Sequence, residues 1–97
     1  MKVKKFSDPS NTAVFTTKFV TKDKKEIVTV THDNEDGAWQ FFSSDQVTNL
    51  EDVVKIVALG QIIKMDSTVL EIADLPLGFE AKRNFKGDKW IIEKMTP

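Results

Sequence analysis

The chain contains no cysteine, which removes disulfide staples, thiol catalysis and thiolate metal sites together. Its one histidine, His32, excludes the common multi-histidine zinc arrangements. No segment reaches the length of a membrane span, and the basic opening Met1 to Pro9 lacks the apolar stretch of a secretory signal. Both observations point to a cytoplasmic protein. The formal charge of -1 gives no global attraction to a polyanion, so neither nucleic acid nor a membrane surface is expected as a partner. There is no glycine-rich phosphate loop, no nucleophile elbow, no internal repeat and no low-complexity tract. The sequence therefore indicates no cofactor, no metal and no catalytic residue.

What is present suits one small soluble domain. At 97 residues, with 40% hydrophobic and 30% charged, the chain has material for a single core and no second one. The expected division is a basic leader and turn over residues 1–12 and a compact domain over 13–97. Charge is uneven along this length. Lys2, Lys4, Lys5, Lys18, Lys22, Lys24 and Lys25 face only Asp8 and Asp23 in the first part, whereas Glu26 to Asp52 carries acids and neither Lys nor Arg. Such asymmetry steers a partner or pairs one part of the fold with another.

Residues 7–12 have turn chemistry, and β-formers follow. Ala13 to Thr21 reads as one strand, and Glu26 to Thr31 as a second, in which threonines alternate with Val28 and Val30. Asp36-Gly37 suits a hairpin turn, after which Trp39 to Ser43 resumes the sheet. Val53 to Leu59 reads as a central strand, although Lys55 leaves one of its faces incompletely buried. The period then changes: Leu59, Ile62 and Ile63 share the stripe of a short helix ending near Met65. Asp66 caps a second short helix through Val69, Leu70, Ile72 and Ala73, which Pro76 and Gly78 stop. Glu80 to Arg83 and Lys89 to Lys94 form a terminal hairpin around 84–88. The expected fold is α+β, a mostly antiparallel sheet of five to six strands packed against two short helices, with the strands in two groups.

The most informative run is His32-Asp33-Asn34-Glu35-Asp36-Gly37-Ala38-Trp39-Gln40-Phe41-Phe42, which sets an acidic turn against a wall of rings. Asp33, Glu35 and Asp36 are candidates to face a basic partner, with Trp39, Phe41 and Phe42 supplying buried contact or holding the loop. A second candidate is the small basic patch of Lys82, Arg83, Lys86 and Lys89 near Phe85 and Trp90. Two other functions compete with protein binding. One is a small hydrolase or metal-dependent enzyme centred on His32 and its neighbouring carboxylates, but the loop lacks EF-hand spacing, and on a strand His32 and Asp33 point to opposite faces. The other is a structural, self-associating domain, since edge strands leave a homodimer open.

Thr31 to Phe42, then Ala73-Asp74-Leu75-Pro76-Leu77-Gly78-Phe79-Glu80-Ala81-Lys82-Arg83 and Trp90, resemble small bacterial domains, some of them associated with immunity proteins of toxin systems. The similarity runs over about residues 27–90 in order. It implies a bacterial cytoplasmic α+β domain and an immunity-like, non-catalytic module with a protein partner. It carries over no catalytic residues.

Overall fold

Alternation of apolar and polar side chains sets the strands, and hydrogen bonding between distant ones sets their order. In the computed structural model, which describes residues 4–96, the strands are β1 (Ala13–Thr17), β2 (Thr29–His32), β3 (Trp39–Phe42), β4 (Val54–Ala58), β5 (Phe79–Lys82) and β6 (Ile91–Lys94). Met1 to Val3, part of the expected leader, and Pro97 lie outside the described residues. All six strands join one sheet in the order β4-β1-β3-β2-β5-β6. The fold is thus α+β, a six-stranded sheet packed against helices. It is mixed, because β1 and β3 run parallel while the other neighbours are antiparallel.

The two expected strand groups merge because β1 inserts beside β3 and carries β4 with it. That insertion also makes β4 an edge strand, which corrects its expected central place. Lys55 and Ile56 are both exposed there, as an edge allows and a central strand does not. The first expected strand, Ala13 to Thr21, ends at Thr17. Lys18 N–H donates to Val53 O at 2.8 Å, and Lys18–Thr21 turns into one helical turn, α1, which rotates Val20 into the core. Tertiary contact overrides the β-propensity of Phe19 and Val20.

One face of the sheet is covered. Helix α2 (Leu59–Met65) and a 3-10 helix (Ser67–Ile72) bring Leu59, Ile62, Val69 and Ile72 onto Val14, Val30, Trp39, Phe41 and Ala81. Asp66 caps the 3-10 helix by accepting from Thr68 N–H at 3.0 Å. Burial of Phe41, which has no exposed surface, contributes about 1.5–3 kcal/mol. Thr16 also faces this core, and its hydroxyl is satisfied by donating to Phe41 O at 2.7 Å. The segment before β1 belongs to the same core: Phe6 is buried against Trp39, with ring centroids 4.8 Å apart and an edge-on angle of 83°. The leader is therefore no separate appendage from Phe6 onward.

Among the described residues the opposite face has no helical layer. By strand alternation and the pairing register, it presents Ile56, Phe15, Gln40, Thr31, Glu80 and Glu93 in one row across the sheet. The neighbouring row holds Val54, Thr17, Phe42, Thr29, Lys82 and Ile91. Its end near Phe42 is approached by the connection 43–53 that precedes β4, which includes the short 3-10 helix Leu50–Asp52.

Candidate functional site

The acidic turn is built by its own backbone. Asp33 N–H donates to Ala38 O at 2.8 Å and Gly37 N–H to Asp33 O at 3.0 Å, closing the β2–β3 hairpin. Asp33 Oδ1 accepts from Glu35 N–H at 2.7 Å, and Asp36 Oδ1 accepts from Ala38 N–H at 2.9 Å. Both carboxylates thus shape the turn, each through one oxygen. Gly37 sits at φ 72°, in the region a side chain disfavours. Glu35 and Asp36 are exposed and Asp33 half-buried.

The rings hold this turn from below. His32 and Trp39 are cross-strand partners whose rings stack at 3.8 Å and 14°. The His32 Nδ1 lies 2.7 Å from Leu75 O; since a carbonyl only accepts, that nitrogen carries the proton. Trp39 Nε1 donates to Asp8 Oδ2 at 2.9 Å. Gly78, at φ 83°, donates its N–H to His32 O at 2.7 Å, and a Cβ at this position would meet the Asn34 side chain at 3.5 Å. The hairpin is fastened to both the leader and the 75–78 loop.

The sequence-level candidates therefore divide. Asp33, Glu35 and Asp36 lie together at one end of the sheet. Trp39 and Phe41 point into the core, 3% and 0% exposed, so they position the turn and offer no surface. Phe42 lies on the opposite, uncovered face and is half-buried. It helps line a groove of about 560 Å³ together with Thr17, Thr29, Val47, Leu50 and Lys82. His32 has one ring face on Trp39 and one nitrogen on Leu75, which together fix the orientation of its ring. Among the described residues no three of His, Asp or Glu gather in a way that could hold a metal ion.

The basic patch also separates. Arg83 is buried: its guanidinium donates to Asp66 Oδ2 at 2.9 Å, to Thr68 Oγ1 at 2.8 Å and to Ile27 O at 3.0 and 2.8 Å, and it lies 4.0 Å from the Trp90 ring centroid. It is a core tie and leaves the expected patch, because on β5 its side alternates with that of Lys82. Lys82 is exposed on the uncovered face, 3.3 Å from Glu80. Lys86 and Lys89 are exposed on the β5–β6 turn.

Sequence reasoning missed the uncovered apolar face. Ile56 is 65% exposed, with Phe15 and Val54 half-buried near it, Phe42 half-buried two strands away, and Val47 and Leu50 exposed at the end of the face near Phe42. The signal was Lys55 inside an apolar run, which marked an edge. Among the described residues no helix is long and apolar enough to cross a membrane. Comparison of the chain with protein-family models, with curated proteins and with solved structures finds no match.

Proposed function

We propose that this chain is a non-catalytic protein-binding module whose contact surface is the uncovered face of the sheet, bordered at one end by the acidic turn. The carrying observation is Ile56, 65% exposed beside Phe15 and Val54 on a face that has no helical layer among the described residues. An apolar patch rimmed by Gln40, Thr31, Glu80 and Lys82 has the composition of a protein contact. Asp33, Glu35 and Asp36 add local negative charge that favours a basic partner and raises its rate of encounter. The hydrolase reading centred on His32 gains no support from a ring engaged by Trp39 and Leu75.

The test is affinity capture followed by calorimetry with the purified partner. Ile56→Asp is expected to weaken binding about tenfold or more, the equivalent of about 1.4 kcal/mol. The triple variant Asp33→Asn, Glu35→Gln, Asp36→Asn keeps the turn's acceptor oxygens, and it is expected to slow association and flatten its salt dependence. Unchanged affinity and kinetics in both variants reject the proposal.

A further inference from the structure

We propose that the protein forms a two-fold dimer by antiparallel pairing of β6 with β6 of a second copy, in a register centred on Ile91. The inference concerns an edge, not the partner face, and stands independently of the function proposed above. β6 closes one side of the sheet, and all four of its residues are exposed, Ile91 at 56% and Ile92 at 48%. Met95 N–H donates to Gly78 O, so the odd-numbered residues turn their backbone groups inward to β5. By alternation Trp90, Ile92 and Lys94 turn theirs outward, a ladder that no other described strand covers and that a second copy's strand completes.

Charge selects both the partner and the register. Glu93 stands directly opposite Glu80 across β5 and β6, and like charges in that position are destabilising. The neighbouring cation, Lys82, is 3.3 Å from Glu80, and among the described residues Glu93 has no ion-pair partner. Extending the pairing two residues before β6, a register about Ile91 sets Lys89 against Glu93 of the second copy; Asp88 stays in the turn, where its carboxylate accepts from Asn84 N–H at 3.1 Å and from Lys89 N–H at 2.9 Å. Ile91 meets its own copy, and Trp90 meets Ile92. The two-fold repeats every pair, as an isologous contact requires. Lys89 then completes the row on the uncovered face by neutralising Glu93. Centring on Glu93 would place that carboxylate against itself, and centring on Ile92 would leave the charges unmatched. Pairing β6 with β4 brings no opposite charge to Lys55, because on the matching side β6 offers Trp90, Ile92 and Lys94. The dimer joins two six-stranded sheets into one and makes their uncovered faces continuous.

Analytical ultracentrifugation of the full chain tests this, with circular dichroism to confirm each variant's fold. The wild type is expected to sediment as twice the 11.0 kDa chain mass in a concentration-dependent manner. Lys89→Glu and Glu93→Lys are each expected to weaken dimerisation at least about tenfold. The doubly reversed chain regains the dimer, and a mixture of the two single variants forms a heterodimer. Ile92→Pro, which removes only an outward N–H, is expected to be a folded monomer. A wild type that stays monomeric up to its solubility limit overturns the proposal, as does a dimer indifferent to Lys89→Glu and Ile92→Pro.

Discussion

Replacing Arg83 by methionine should unfold much of this protein's margin of stability. The guanidinium has no exposed side-chain surface and its partner Asp66 has 7%. Methionine fills a similar volume along the stem, so the packing loss is small. What changes is that the Asp66 carboxylate stays buried without its cation, while Ile27 O loses two donors and Trp90 loses the charge under its ring. Breaking a buried pair in this way costs about 3–5 kcal/mol, against a total of about 5–15 kcal/mol for a domain. At about 4–8 °C per kcal/mol for a chain of this size, Tm falls by at least about 12 °C. Calorimetry and urea melts measure the change directly. Asp66→Asn combined with Arg83→Met should be no worse than Arg83→Met alone, since both charges leave together while the oxygen that caps Thr68 N–H is kept. A loss under about 1 kcal/mol in the single variant, or strictly additive losses in the double, would refute the reasoning.

Other substitutions probe separate parts of the structure. Thr17→Val should raise stability by about 1 kcal/mol in chemical denaturation, because the Thr17 hydroxyl is buried without a partner; a loss instead would reveal a hydrogen bond to solvent. Gly78→Ala should cost about 1–2 kcal/mol, since φ is 83° and the added methyl meets Asn34 at 3.5 Å. Trp39→Phe removes the bond to Asp8 and should cost about 1–2 kcal/mol, with faster amide exchange in the 33–38 turn as its local readout.

Local elements were largely legible, because they rest on local chemistry. Asp36-Gly37 made the hairpin, the change of period at Leu59 marked α2, Asp66 marked the cap, and Asn84 to Asp88 marked the last turn. Strand order was not legible. Nothing in Ala13 to Thr17 announces that it lies parallel to β3, and that one pairing moves β4 to the edge and leaves Ile56 exposed. The same limit governs the site. The acidic turn could be placed because it is contiguous, whereas the inward aim of Trp39 and Phe41, with Phe42 turned away, depends on which sheet face receives the helices. Arg83 read as part of a surface cluster because its partners, Ile27 and Asp66, are 56 and 17 residues distant in sequence.

The most direct measurement is methyl NMR of the protein titrated with its purified partner. The one-sided sheet predicts that Ile56, Val54 and Val47 shift and broaden on binding, while Ile62, Ile72 and Val69 in the covered core stay near their free positions. Shifts confined to α2 and the 67–72 helix, with Ile56 unmoved, would place the contact on the other side of the molecule and contradict it.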